Sequence, residues 1–403
     1  MLVYRGLMPD ELLTVGEALE LVLGKVVPLE AQEVALEEAA GRVLAAAARA
    51  RVDLPSFPAS AMDGFALRAA DAPGTLTVVG RIAAGKPATQ ALEAGQAMSI
   101  STGGVVPDGA DSVVPIEEVE QRDGVVVVPE VREGANVRER GGDLGSGDLV
   151  VGAGVLLGPV HLGALAASGV THVHCARRPS VVVAVTGSEL RQPGEQLERG
   201  QIYDANGVIL ATQIRSAGAE VERLAPVTDD AEATRAAVTR GLEADVLVTS
   251  GGVSVGVHDL VRATEAELGV EEIFWRVAVR PGKPVAFGVR GQTLVFGLPG
   301  NPVSSLVGFE LFVRPALLAL QGLADPKPAF RPGVLGRSTR LLPGRESLLR
   351  ATARFDRGAV VLDPLTGQES HMIARAASAN ALVLVPRGEG ELESGSPVAY
   401  LTL

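Results

Sequence analysis

The sequence predicts a multidomain α/β protein: a doubly wound α/β domain accompanied by a β-rich lobe and a smaller terminal β domain. Three observations predict it. First, a chain of 403 residues, 47% hydrophobic and 21% charged, has a globular composition and exceeds what one ordinary core holds. Second, apolar runs at residues 181–186, 246–250 and 294–298 read as buried parallel strands. They alternate with helical stretches at 206–217, 231–242 and 304–320. Third, the flanking texture differs. Short Val-rich runs separated by Gly, Pro and Asp fill residues 51–150, and Pro-, Gly- and Arg-rich alternation follows residue 323.

In chain order, residues 14–26 carry Val15, Ala18, Leu19, Val22 and Leu23 at helical spacing, with Thr14 as cap and Glu17 three residues on, the pattern of a capping box. Residues 33–50 are strand-like and then Ala-rich. Runs at 76–79, 113–116 and 125–128 read as strands of the lobe. The stretch 149–176 carries no formal charge, which invites a membrane reading. Gly152, Gly154, Gly158 and Pro159 break it, and it reads instead as a strand, a turn and a buried helix. Runs at 360–362 and 382–385 predict strands of the terminal domain.

Composition excludes several classes of function. A net charge of −12 disfavours nucleic acid and anionic bilayers as partners, and 3% aromatic residues leave few rings to stack on bases. An anionic substrate therefore needs a local basic cluster. Only four of the 36 basic residues are Lys (Lys25, Lys86, Lys283, Lys327), so a Lys in a constrained loop stands out. Cys175 is the sole cysteine, and the N-terminus lacks signal-peptide regions; a reducing, cytoplasmic setting is expected, with no membrane span.

Four groups of residues could carry chemistry. Ser250-Gly251-Gly252-Val253-Ser254-Val255-Gly256 follows a predicted strand, where backbone N–H groups can approach a phosphate; no Lys completes a P-loop. Bare glycine turns are common, so phosphate binding and a plain turn stand level. Gly297-Leu298-Pro299-Gly300-Asn301-Pro302-Val303-Ser304 is a second rigid turn before a long helix, either a simple capped turn or, with the first, half of one pocket. Arg280-Pro281-Gly282-Lys283-Pro284 sets two cations across a tight bend, suited to a compact oxyanion or else a solvated turn. Asp63, Glu189, Asp229 and Asp259 are candidate carboxylates, Asp229 also being an ordinary helix-cap candidate. The pair His172 and His174 has no further ligand group and reads as structural rather than as zinc-binding.

These motifs in this order resemble the molybdopterin molybdenumtransferase family, which includes the E domain of gephyrin. The likeness also rests on residues 55–64 (ending Ser60-Ala61-Met62-Asp63-Gly64), Ser101-Thr102-Gly103-Gly104, residues 107–111, Gly134-Ala135-Asn136-Val137-Arg138, Thr186-Gly187-Ser188-Glu189-Leu190 and Tyr203-Asp204-Ala205-Asn206-Gly207, and it runs from about residue 10 to about 390. The resemblance implies an α/β domain like that of pterin adenylyltransferases at residues 1–28 and 177–326. A linking domain would occupy 29–50 and 151–176, the β-rich lobe 51–150 and a β-barrel-like C-terminal domain 327–403, in an elongated homodimer.

It also implies the activity: molybdate and adenylated molybdopterin, with Mg²⁺, give molybdenum cofactor and AMP. Ser250, Gly251, Gly252, Ser254, Pro299, Gly300, Asn301 and Pro302 would hold nucleotide and pterin phosphates. Arg280, Lys283 and Ser304 would hold molybdate, Thr102 and Asp63 would come from the partner subunit's lobe, and Arg138 would assist binding. Glu189, Asp229 and Asp259 would position metal or water, with Glu189 and Asp259 as the metal ligands. Pterin adenylyltransferase and acceptor molybdoenzymes would be protein partners. Arg345, Arg350 and Ser370 sit roughly where family residues approach molybdate. Arg280 stands where the family usually has Lys, Ser188 replaces a common Asp, and His258 precedes Asp259 in place of an acidic or aromatic residue. Pterin adenylyl transfer, a non-catalytic cofactor-binding role and tungstate as the natural oxyanion are the competing expectations.

Overall fold

The computed structural model describes residues 12–252 and 260–403; Ser254 and Asp259 lie outside the described residues. The chain forms two compact units: Glu33–Ala40 with Ala46–His174, and Met1–Gln32 with Gly41–Ala45 and Cys175–Leu403.

The first unit is built on the lobe predicted from the Val-rich runs. Its main sheet orders six strands as Ser112–Pro115, Gly64–Leu67, Gln96–Ile100, Gly74–Ile82, Val125–Val128 and Glu120–Arg122, antiparallel except where Gly74–Ile82 runs parallel to Gln96–Ile100. Alternation puts Phe65, Leu67, Val114 and Val126 in one apolar cluster and Ala66, Met98, Ile100 and Val113 in another, so both faces are covered. Gly64 has no substitute here, because a Cβ would lie 2.0 Å from the carbonyl oxygen of Val114. The helix expected to be buried within 149–176 exists as Pro159–Ala167 but buries only Leu165, and Val160 is 83% exposed. The missing charges there reflect a short Gly- and Ala-rich helix with one anchoring side chain.

The second unit contains the α/β domain. Its sheet runs Glu220–Arg223, Ser180–Val185, Val246–Ser250, Thr293–Leu298, Ala286–Arg290 and Glu271–Trp275. The first four strands are parallel, and side chains of the inner three (Val183, Val246, Val248, Leu294, Phe296) are buried, as doubly covered parallel strands require. The last two strands are antiparallel, a feature absent from the sequence reading. Gly291, at φ +61°, turns the chain after two residues, and the hairpin extends the sheet. Thr14 caps Val15–Leu23 with the expected reciprocal bonds to Glu17. Pro302–Leu320 is helical throughout, with a π segment at Phe309–Val313. It is the one helix among the described residues long and apolar enough to cross a bilayer, and 72% of it is buried in the core.

The C-terminal strands Arg331–Leu335, Glu346–Asp356, Ala359–Pro364, Ala381–Val385 and Pro397–Thr402 pair in a ring, each bonded to two others, and close a five-stranded barrel around Leu335, Ala351, Leu362 and Val383. A short strand, Val279–Arg280, pairs parallel to the barrel strand that begins at Glu346. The barrel is thereby joined to the segment that links Glu271–Trp275 to Ala286–Arg290 in the α/β sheet.

Candidate functional site

The two glycine-rich turns leave the sheet side by side, because their parent strands are parallel neighbours in register, with Ser250 opposite Leu298. Ligands of such sheets bind beyond the carboxyl ends of the strands. Gly251, at φ +96°, donates to the Leu298 carbonyl at 3.1 Å; a Cβ there would lie 2.7 Å from the Thr186 hydroxyl, so only glycine keeps the turn closed. The Ser250 hydroxyl is fully buried and donates to the Pro299 carbonyl at 3.2 Å. Asn206, 6% exposed at the first turn of Asn206–Ser216, donates through one amide nitrogen to Ser250 Oγ and to the Gly300 carbonyl, both at 2.8 Å.

The cationic bend opens on a cavity of about 450 Å³. Arg280, Lys283, Asn301 and Ser304 line it from the α/β domain, and Arg345, Glu369, Ser370 and His371 from the barrel side. Among the described residues Arg280, Lys283 and Arg345 make no ion pair, so three cations face the space with one carboxylate, Glu369. A surplus of positive charge inside a protein of net charge −12 suits a small dianion, and the hydroxyls of Ser304 and Ser370 can orient its oxygens. Residues 280–283 and 299–304 thus share one cavity, adjoining the turn at Ser250 and Gly251.

Arg350 does not line the cavity, contrary to its expected place near molybdate. It is 1% exposed and donates to the carbonyls of Met372, Gly367 and Glu369 at 2.6, 2.7 and 3.2 Å. Burial pulls its guanidinium below the ordinary arginine range, although arginine stays charged. Gln368 braces the same loop, donating to the Arg350 and Leu365 carbonyls at 2.8 and 2.9 Å. The buried cation therefore shapes the segment that presents Ser370.

The carboxylates separate into two groups. Asp230, not Asp229, caps Ala231–Gly241, accepting from Glu232 and Ala233. Asp229 instead accepts from the Ser188 N–H at 3.1 Å, and its own N–H donates to Ser188 Oγ at 3.0 Å. Asp229 is thereby joined to the strand-end loop that carries Glu189, and both acids are exposed. In the other unit, Asp63 Oδ1 accepts from the Thr102 N–H at 2.8 Å, and the strand of Val137–Arg138 pairs with Ala59–Ser60. Asp63, Thr102 and Arg138 therefore lie on hydrogen-bonded segments of one corner of the lobe. No group of three or more His, Cys, Asp or Glu side chains that could hold a metal ion occurs among the described residues.

Asn206, Gln368, Glu369 and His371 were missed as site residues. Asn206 lies in the Tyr203–Gly207 motif but has the pattern of a helix start, and the other three lie on a loop with no Gly-rich signature. No local pattern places them; closure of the barrel does.

Three family models match in order: "MoeA N-terminal region (domain I and II)" at residues 13–169, "Probable molybdopterin binding domain" at 182–319 and "MoeA C-terminal region (domain IV)" at 332–403. Molybdopterin molybdenumtransferase 2 of Mycobacterium tuberculosis is 37% identical over 379 residues, 90% of this chain and 93% of that one; the Haemophilus influenzae molybdopterin molybdenumtransferase is 34% identical over 378 residues, 92% and 93%. The chain belongs to the molybdopterin molybdenumtransferase family. A crystal structure titled as the molybdopterin biosynthesis moeA protein of Pyrococcus horikoshii superposes with a TM-score of 0.84 at 26% identity, covering 98% of this chain and all of that one. Another, spelled Pyrococcus horikosii, gives 0.81 at 31% identity, covering 97% and 99%. Membership of the molybdopterin molybdenumtransferases makes the chain a transferase of molybdenum-cofactor biosynthesis, as the ordered motifs implied.

Proposed function

We propose that this chain inserts molybdenum from molybdate into adenylated molybdopterin, releasing AMP and molybdenum cofactor. The observation that carries the reading is the shared cavity. A cationic bend and a barrel loop line one cavity, and Pro299 in its wall is hydrogen-bonded to Ser250 of the other glycine-rich turn, an arrangement that suits a tetrahedral dianion beside phosphate groups. Lys283 supplies a compact charge and Arg280 a planar fork, while Ser304 and Ser370 donate hydroxyls to the oxyanion. In the turns at Ser250–Gly252 and Pro299–Pro302 the backbone N–H groups of Gly252, Gly300 and Asn301 would approach the phosphates, and Ser254 of the same motif would assist. Holding both reactants in one fixed geometry supplies much of the rate, since no protein nucleophile is needed.

We include Mg²⁺ in this reading. It prefers one or two carboxylates plus substrate phosphates over an all-protein cage, and Glu189 and Asp229 lie exposed on joined loops at the strand ends. Glu189 and Asp259 would be its ligands, and when bound it would neutralise charge on the phosphoanhydride oxygens. Asp229 would orient water toward that linkage. We place Asp63, Thr102 and Arg138 in the same reaction, supplied by the lobe of a second subunit in a homodimer. Likeness of the α/β domain to pterin adenylyltransferases, a cytoplasmic setting, and handover from a pterin adenylyltransferase and to acceptor molybdoenzymes belong to the same reading.

The test is AMP release. Purified protein should release AMP only when adenylated molybdopterin, molybdate and Mg²⁺ are supplied together. Formation of adenylated pterin from ATP, or tight pterin binding without molybdate-dependent AMP, would replace this reading with adenylyl transfer or a binding role.

A further inference from the structure

We propose that Asn206 is a positioning residue that sets the distance between the two ends of the reaction site. It rests on the proposed function, since it assigns the phosphate end to the Ser250 turn and the oxyanion end to the Asn301 side of the second turn.

The side chain is built into the protein rather than offered to a ligand. Asn206 is 6% exposed, and both hydrogen bonds from its single NH₂ group run to different loops, to Ser250 Oγ and to the Gly300 carbonyl at 2.8 Å each. Those loops contribute Gly251 to one turn and Asn301 to the cavity wall. Other ties between the turns are few: Gly251 N–H to Leu298 at 3.1 Å and Ser250 Oγ to Pro299 at 3.2 Å. Each of these reaches the second turn before its apex, whereas Asn206 alone among these ties holds Gly300, next to Asn301. Asn206 Oδ1 is buried and accepts no hydrogen bond among the described residues. A buried amide that leaves its acceptor unused is retained for its donors, because an unmet acceptor costs stability. Its seat at the start of a helix that packs under the sheet makes the clamp stiff.

Asn206 therefore acts through the turns. Losing it would let the phosphate turn and the oxyanion wall drift apart while each remained able to bind its own ligand. An error of about 1 Å between reacting groups costs on the order of 100-fold in rate.

The experiment uses the full chain with Asn206→Asp, which keeps the size and removes both donors. The expected result is a fall in kcat for molybdate-dependent AMP release of about 10- to 100-fold. Calorimetric affinities for AMP alone and for molybdate alone should each move less than about threefold. Backbone amides of Gly251, Gly300 and Asn301 should exchange with deuterium faster than in the unaltered chain. A kcat unchanged from the unaltered chain overturns the proposal, and so does loss of either affinity by more than about tenfold, which would make Asn206 a ligand contact. If Asn206→Asp does not fold, Asn206→Leu keeps the size, removes both donors without burying a charge, and is read identically, an unchanged kcat overturning the proposal. The exchange measurement needs no turnover. If the unaltered chain released AMP without molybdate, the proposed function would fail while the clamp could still be judged.

Discussion

Val303 donates its backbone N–H to the carbonyl of Ser370 at 3.0 Å. This one bond joins the first turn of the helix after the Pro299–Asn301 turn to the loop that the barrel presents, and it crosses the wall of the cationic cavity. The α/β domain and the barrel therefore wall the cationic cavity together.

Arg280 is exposed and makes no ion pair among the described residues, so its charge is free to act on the cavity. Arg280→Lys keeps that charge and exchanges the planar fork for a compact ammonium. We expect the molybdate KM to change by less than about threefold, whereas Arg280→Ala should raise it by about tenfold, a charge-assisted bond being worth roughly 1.5–3 kcal/mol. Both effects should shrink as salt is added. Steady-state titration of molybdate reads them.

Gly251→Ala should be damaging. The residue would keep a φ of +96°, and its Cβ would lie 2.7 Å from Thr186 Oγ1 and 2.8 Å from the Thr186 carbonyl oxygen. Strain of about 1–3 kcal/mol is expected, relieved only by opening the turn. Urea unfolding should show the loss of stability, and AMP affinity should fall with it.

Arg350→Met leaves the Gly367, Glu369 and Met372 carbonyls without their shared donor. We expect a loss of about 3 kcal/mol in stability and a raised molybdate KM, because the Ser370 segment loses its brace. A molybdate KM unchanged in a folded variant would place the loop outside the site.

Asp245 sets a pH limit. Burial pushes its carboxyl up, but the paired Arg177 guanidinium and the Ser180 N–H and hydroxyl outweigh that and hold it below the usual range. A carboxylate depressed by folding adds stability that is complete above the unfolded value, about 3.9 for Asp, and is lost as pH falls through the lowered folded value. The thermal midpoint should therefore drop on acidification below about pH 4. Asp245→Asn should start lower and flatten that acid limb.

Much of the fold could be read from local pattern. The strand at Val246–Ser250 and the helix starting at Asn206 fall where their apolar spacing put them, because buried parallel strands are nearly continuous hydrophobic runs. The antiparallel pair Ala286–Arg290 and Glu271–Trp275 was not legible, since pairing direction depends on which strand lies beside which. At the site, the turns at Ser250 and Gly300 announced themselves through glycine and proline. Arg350 did not: an arginine that clamps carbonyls and one that faces an anion look the same in sequence, and only barrel closure separates them. Asp229 and Asp230 were equally ambiguous until the helix took Asp230 as its cap.

Molybdate titration of AMP release by the unaltered chain and by Lys283→Ala decides whether the cavity is an oxyanion site. We predict that Lys283→Ala raises the molybdate KM by about 10- to 100-fold, roughly 1.5–3 kcal/mol, with the KM for adenylated molybdopterin within about twofold. Equal molybdate KM values for the two proteins would contradict it.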